Sequence, residues 1–440
     1  MARRIAVVGG GWAGISAAVT AVESGDRVTL FEMAAQLGGR ARQVDHSAEL
    51  TLDNGQHILI GAYSDTLSLM RRVGADPERL LLRQPLALVD PAGRGLRMKP
   101  GPPALAFAAA VLGRRGWALS ERVGLLAAAL RWRLGGFTAE PATTVTELTR
   151  KLSPRIRSEL IEPLCVAALN TPAERASASV FLRVLRDALF SGPGSADLLL
   201  PRVSLSDLLP APAARWLASA GADLRCGARA MSLAPHPEGW LINGEAFDAV
   251  VVACTAQEAA RLCQAHAPRW ATLAQSFDYE PIITVYLRSH GTRLAEPMTT
   301  LAAGDDAPAQ FAFDLGAIDG GGPRDGVFAF VTSGAREWVE RGLDVCATAT
   351  LAQARQEFAH AWQEPPTLLR TLAERRATFL CRPALVRPPV GIAPGLAAAG
   401  DYIEGPYPAT LEGAVRSGAA CVRWLSRHTV PAHSATSADV

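Results

Sequence analysis

Six residues, Gly9-Gly10-Gly11-Trp12-Ala13-Gly14, constrain this chain more than any others. They stand between an apolar run, Arg4 to Val8, and a run of small residues that opens Ile15-Ser16-Ala17-Ala18-Val19. The pattern is Gly-x-Gly-x-x-Gly in strand, turn, helix order, and each glycine has a physical task. Gly9 makes the tight turn, Gly11 lets the backbone approach a pyrophosphate, and Gly14 lets helix and strand pack closely. Trp12 and Ala13 begin the helix, whose first amides favour an anion. A second strand, Arg27 to Phe31, ends at Glu32, about 20 residues beyond the glycines, where a carboxylate can accept both hydroxyls of a ribose and disfavours a 2′-phosphate. Met33 belongs to the same predicted site. A glycine-rich turn alone would be a weak signal; the flanking strand, helix and acid make it a dinucleotide site.

The 440 residues suffice for two sizeable cores, a cofactor domain and a substrate domain; with the strand, turn, helix motif the expected fold class is α/β, a Rossmann-like cofactor domain with an α+β substrate domain. A net charge of +2, with 20% charged residues, argues against nucleic acid as a partner. The seven cysteines are scattered with no C-x-x-C pair, so neither a disulfide framework nor a metal site is predicted. The apolar run near the N-terminus stops after four residues at glycines, too short for a signal peptide, and no stretch approaches the roughly 20 apolar residues of a membrane span. The expected location is cytoplasmic.

Beyond Glu32, Gly38-Gly39-Arg40 offers backbone amides and a guanidinium to a diphosphate. It resembles the Gly-Gly-Arg segment of flavoproteins related to amine oxidases and phytoene desaturases, where that segment lies along FAD. Asp53-Asn54-Gly55-Gln56-His57-Ile58 resembles the segment those enzymes place near the isoalloxazine ring, although Asn54-Gly55 also suits a hairpin turn. The resemblance implies that the FAD site is assembled from separated pieces of chain. One is Asp223 to Thr255, which reads as a three-stranded meander built from Leu224–Leu233, Trp240–Ile242 and Asp248–Cys254, its last strand returning to the parallel sheet. By resemblance Ala230 meets the adenine. Another is the small-residue strand Leu396 to Ala399 ending in Gly400-Asp401, followed by Pro408 to Gly418, where Thr410, Leu411 and Ala414 open a helix. Asp401 can bind ribityl hydroxyls, and the helix end can stabilise negative charge on a reduced ring. No cysteine falls between Gly400 and Gly418, so the FAD is expected to be non-covalent. Gly320-Gly321-Gly322 lacks a flanking strand and helix and reads as a loop; with no second dinucleotide motif, an external electron donor is expected.

Three segments, Pro163 to Pro172, Arg376-Ala377-Thr378-Phe379 and Gly400 to Gly418, resemble the squalene-associated FAD-dependent desaturase family, and the resemblance runs to about Arg427. It implies that a C30 isoprenoid alcohol, hydroxysqualene, loses its hydroxyl while reduced FAD supplies hydride from N5, giving squalene for hopanoid synthesis. Rival readings are a carotenoid-type desaturase, a flavin amine oxidase, which would want an aromatic cage that Gly405-Pro406-Tyr407-Pro408 does not obviously provide, and a non-enzymatic FAD-binding protein. His57 is the named candidate for proton donor to the leaving hydroxyl, against the reading of a structural histidine. Tyr402 and Tyr407 carry no assigned role.

From Arg97 to Arg133, Arg97, Lys99, Arg114, Arg115, Arg122, Arg131 and Arg133 face a single acid, Glu121, and are interleaved with leucines, Trp117 and Trp132. Such helices can lie on a membrane, arginines on phosphates and tryptophans at the interface. An ordinary helical hairpin with a solvated arginine face accounts for the same pattern. The predicted organisation is residues 1–75, 205–270 and 390–427 for the cofactor domain, 76–204 and 271–389 for the substrate and membrane-contact domain, and 428–440 as a disordered tail. Within the second domain Ile282–Leu287, Gln310–Phe313 and Val327–Val331 read as strands.

Overall fold

Alternation along the first strand explains how the chain layers itself. In the computed structural model, which describes residues 2–45, 47 and 50–428, Arg4–Val8 runs through the middle of a six-stranded sheet. Successive side chains point to opposite faces. Ile5 and Val7 therefore join one core with the helices Trp12–Glu23 and Leu411–Leu425, while Ala6 and Val8 join another with Trp240, Phe247 and the helix Ala256–Cys263. A strand covered on both faces needs a continuous apolar run, which Ile5-Ala6-Val7-Val8 supplies.

Across this sheet the order is Asp223–Cys226, Arg27–Glu32, Arg4–Val8, Ala249–Val252, Leu396–Ala398, Gly391–Ala393. Every neighbouring pair is parallel except the last. The segment read as a single strand from Leu224 to Leu233 is instead two elements. Asp223–Cys226 is the edge of the parallel sheet, and the meander is Leu233–His236, Gly239–Ile242 and Glu245–Phe247. Gly227, at φ +71°, ends the edge strand, and Asn243 Oδ1 accepts from the amides of Met231 and Ser232 at 2.8 and 3.2 Å, pinning a loop where the sequence suggested extended chain. That loop carries Ala230.

A second sheet is antiparallel, in the order Met298–Thr300, Phe311–Asp314, Val327–Thr332, Tyr279–Arg288, Thr367–Phe379. One face packs with Glu162–Leu169 and Ala178–Phe190 through Phe311, Phe313 and Val331. The other is covered by Arg336–Arg341 and Leu343–Glu357. The basic segment forms two helices, Pro103–Gly113 and Leu119–Leu134. Trp117, read as an interfacial residue, is buried between them, and its Nε1 donates to Glu159 at 2.7 Å. An indole N–H sequestered from water needs such a partner. Arg97 and Arg114 are paired with Glu296 and Glu159, so they are not free cations. Of the tail, Thr429 to Val440 lies outside the described residues.

Candidate active site

The glycine loop sits where the central strand ends. Gly9 has φ +109°, and a Cβ there would come within 2.6 Å of the Ala253 carbonyl oxygen. Gly14, one turn into the helix, is pressed against the Gly9 carbonyl, inside any contact a side chain could tolerate. It does not line the cavity described below, so its part is packing. Gly11 is different: a Cβ on it would meet nothing closer than 3.9 Å, because its face opens onto the cavity. Gly11 also caps Trp12–Glu23 without a side-chain hydrogen bond, which leaves the first-turn amides available to an anion. Gly38 and Gly39, at φ +120° and +61°, lie alongside, with Gly38 N–H donating to the Gly10 carbonyl at 2.8 Å. The buried Glu32 carboxylate is fixed at the strand end by the amides of Gly10 and Ala34, each at 2.7 Å.

These residues form one end of a cavity of about 510 Å³, in the range of sites that enclose a cofactor or drug-sized ligand. Its lining includes Gly9, Gly11, Trp12, Ala13, Glu32, Met33, Gly38, Gly39, Arg40, Ala230, Gly55, Gln56, His57, Gly400, Asp401, Thr410, Leu411 and Ala414. Residues from both ends of the chain thus meet in one space. The C-terminal helix reaches it because Gly418 lets Leu411–Leu425 cross Trp12–Glu23 with no room for a Cβ, and because Ser16 Oγ donates to the Val415 carbonyl at 2.7 Å. Thr410 caps that helix by accepting from Gly413 N–H at 2.9 Å. Glu412, fully buried, accepts from Asp65 N, Thr66 N and Thr66 Oγ1 at 2.7 to 3.1 Å and holds the start of the helix Ser64–Arg72.

Arg40 and Asp401 are joined. Arg40 Nη2 and Asp401 Oδ1 are 2.6 Å apart, and Arg40 Nη1 donates to the carbonyls of Ala377 and Arg376 at 2.9 and 3.2 Å. Burial works against the guanidinium, but the Asp401 carboxylate outweighs it and holds the Arg40 pKa above the ordinary value. The sequence reading gave these two residues separate tasks, diphosphate and ribityl. The structure makes them one anchored pair, with the amide-rich Gly38-Gly39 turn beside it.

Asn54-Gly55 is not a hairpin turn. The antiparallel pair Gln43–Asp45 and Thr51–Asp53 precedes it, and Asn54 leaves that sheet to donate from Nδ2 to the Arg40 carbonyl at 3.3 Å and to Glu374 Oε2 at 3.1 Å. His57 Nδ1 lies 2.9 Å from the Gly55 carbonyl. A carbonyl only accepts, so Nδ1 carries the proton and Nε2 of the neutral ring is an acceptor. Burial pulls the His57 pKa below the usual histidine value, only partly offset by the Gly55 bond, so the ring is neutral at physiological pH. A neutral ring with its proton tied to Gly55 is poorly suited to donate to a leaving hydroxyl, the role the sequence suggested.

The far end of the cavity is apolar, with Val166, Ala168, Leu169, Ile282, Phe313 and Val331 among its walls. Asn170, with φ +45°, closes the helix Glu162–Leu169 there; Nδ2 donates to Thr378 Oγ1 at 2.9 Å and the Glu280 carbonyl at 3.2 Å, and Oδ1 accepts from Gly334 N–H at 2.8 Å. The Leu169-Asn170 segment is therefore a clasp between a helix, two strands of the antiparallel sheet and the turn that follows a third. Glu374 also lines the cavity and was missed by sequence reasoning. Its neighbours Arg375 and Arg376 break the alternation that would have marked an inward face.

A helix end with free amides, opening beside a strand-end carboxylate into an apolar chamber, is the geometry of a dinucleotide-cofactor site. The chain belongs to the flavin containing amine oxidoreductase family, whose model matches residues 12–423. It is 28% identical over 443 residues to the hydroxysqualene dehydroxylase of Rhodopseudomonas palustris, covering 95% of this chain and 97% of that one. Similarity to the zeta-carotene desaturase of Zea mays, 33% over 95 residues, covers only 20% of this chain and 16% of that one. Among solved structures, an oxidoreductase from Methanosarcina mazei shares the fold with a TM-score of 0.70 at 13% identity, covering 96% of this chain and all (100%) of that one. The protein is a flavin-dependent oxidoreductase with a Rossmann-type fold. Its cavity fits the cofactor: uncapped amides at Gly11 suit a diphosphate, Glu32 a ribose, and the buried Gln56 Oε1, which has no hydrogen-bond partner among the described residues, a ring N–H.

Proposed function

We propose that this protein binds FAD non-covalently and removes the hydroxyl of hydroxysqualene reductively to give squalene, a step of hopanoid synthesis. The observation that carries the reading is the continuity of one cavity from the glycine cradle to the apolar wall of Val166, Leu169, Phe313 and Val331. Bound and reduced, the flavin supplies a hydride. The chain's own residues hold and orient it: the Gly11 and Gly38-Gly39 turns beside the diphosphate, Glu32 on the ribose, Ala230 by the adenine, and Gln56 and the Thr410 helix end near the ring. Cys254 also lines the cavity, but burial raises its thiol pKa far above the ordinary value, so it stays a protonated, unreactive wall group. The apolar chamber excludes water from a cation-like carbon.

The domain division goes with this reading. All six strands of the parallel sheet fall within 1–75, 205–270 and 390–427, and the antiparallel sheet that walls the apolar end falls within 271–389. The decisive assay starts from FAD-loaded protein reduced anaerobically by an external donor. Added hydroxysqualene is expected to reoxidise the flavin with stoichiometric squalene. No reoxidation, together with flavin reduction by a polyene such as phytoene, would replace this reading by the desaturase.

Peripheral membrane contact is part of the proposal, because a C30 hydrocarbon partitions into bilayers. Among the described residues no helix is long and apolar enough to cross a membrane. On Leu119–Leu134, however, Leu119, Val123, Leu130 and Leu134 recur at positions that share one face of an α-helix. Leu119 and Leu134 are 70% and 79% exposed, and Leu105 on the neighbouring helix 69%. Exposed Arg115 and Arg131 lie on the same two-helix unit. Leu105→Asp/Leu119→Asp/Leu134→Asp is expected to abolish co-sedimentation with anionic liposomes at low salt while leaving FAD bound; binding equal to wild type would remove the membrane from the account.

A further inference from the structure

The long strand Thr367–Phe379 is irregular at two places, and the larger irregularity lies at the cavity. Its register against Tyr279–Arg288 pairs Glu280 with Thr378 but Ile282 with Glu374, so two steps on one strand are matched by four on the other. Bulges of this kind re-aim side chains and concentrate beside active sites. This one is held from outside the sheet: Arg40, itself paired with Asp401, donates to the carbonyls of Arg376 and Ala377 within the bulge. At its edge Glu374 faces the cavity between Asn54 and His57 on one side and the apolar wall around Ile282 on the other.

The carboxylates lining this cavity are not equivalent. Asp401 is neutralised by Arg40, and Glu258 by Arg229 and Arg261. Glu32 holds the amides of Gly10 and Ala34 at the opposite end, beside the glycine turn and away from the apolar wall. Glu374 receives two neutral donors, Asn54 Nδ2 on Oε2 and Arg376 N–H on Oε1, both at 3.1 Å, and no ion pair among the described residues. Each carboxyl oxygen keeps a second lone pair free for a proton or a ligand.

We propose that Glu374 is a catalytic residue, the acid that protonates the leaving hydroxyl and then, as carboxylate, faces the cation-like carbon. The inference rests on the dehydroxylation reading. The step balances: the Glu374 proton goes to the hydroxyl, the C–O bond breaks with both electrons leaving on water, and the carbon takes a hydride from the reduced flavin, which is oxidised. Solvent returns the proton to Glu374, and the external donor returns the electrons. Asn54 and the Arg376 amide orient the carboxyl, and the neutral His57 beside it offers an acceptor for the departing water.

The test uses FAD-loaded wild type, Glu374→Gln and Glu374→Asp, with two readouts. In single turnover with hydroxysqualene, Glu374→Gln is expected to slow flavin reoxidation by about 100-fold or more, the usual loss for a general acid, and Glu374→Asp to recover part of it. In equilibrium titrations followed by protein fluorescence, an ammonium-bearing analogue of squalene is expected to bind Glu374→Gln about tenfold or more weakly than wild type, with affinity for squalene unchanged. Turnover within threefold of wild type overturns the proposal, as does an unchanged preference for the ammonium analogue. A wild type inert toward hydroxysqualene sinks the reaction reading separately, and the ammonium titration then decides the role of the carboxylate by itself.

Discussion

Gly14→Ala is expected to leave the protein essentially without flavin. The added methyl would overlap the Gly9 carbonyl and press on Ala253 Cβ at 3.3 Å, so either the glycine turn or the helix Trp12–Glu23 must shift. Both carry the amides proposed to receive the diphosphate, and the helix is also clamped from behind at Gly418 and by the Ser16 to Val415 hydrogen bond, so relief on that side is closed. Overpacking of a fixed core costs about 1–3 kcal/mol and more where backbone must move, which makes a loss of flavin affinity of roughly 100-fold the expected scale. Flavin absorbance per protein after gel filtration measures it. Gly124→Ala is the control: Gly124 lies within Leu119–Leu134 with nothing near its Cβ position, and alanine there is expected to raise stability by up to about 1 kcal/mol with flavin content unchanged. Full flavin occupancy in Gly14→Ala would mean that the turn is softer than its contacts imply.

What could be read from the sequence follows the range of the forces involved. Arg4–Val8, Arg27–Glu32 and the glycine turn were legible because strand, turn and helix start are set by neighbours within a few residues. The second sheet announced three of its strands through runs such as Val327–Thr332, which is buried throughout. The edge strand Asp223–Cys226 was merged with the meander because Gly227 and the Asn243 side chain, which separate them, act through a conformation and a contact that hydrophobic pattern does not record. Trp117 looked interfacial because its partner Glu159 lies 42 residues away. Glu374 stayed hidden for a similar reason: a bulge is a relation between two strands, and the arginines beside it imitate a solvent face. The glycines and Asp401 could be named individually, whereas the Arg40–Asp401 pair, 361 residues apart, is a product of the fold.

That pair supports the second large expectation. Arg40→Met is expected to destabilise the flavin-bound protein by on the order of 3 kcal/mol, because it strands the buried Asp401 carboxylate and releases the bulge carbonyls of Arg376 and Ala377 together. The figure sits at the low end for breaking a buried pair, since a third of the Arg40 side chain reaches the cavity (33% exposed). Asp401→Asn, which keeps the shape and leaves the guanidinium two carbonyl partners, is expected to cost less, about 2 kcal/mol. If the two residues act as one unit, the double variant falls short of the sum of the single effects by about 1–2 kcal/mol, read as the denaturant concentration at which flavin is released. Arg40→Met carries a further consequence that Asp401→Asn does not: with the bulge released, Glu374 loses its aim, and hydroxysqualene turnover in Arg40→Met falls by more than flavin loss explains. Additive destabilisation would mean that Arg40 and Asp401 are neighbours without being partners. Turnover per bound flavin equal to wild type would mean that the bulge keeps its shape without the arginine.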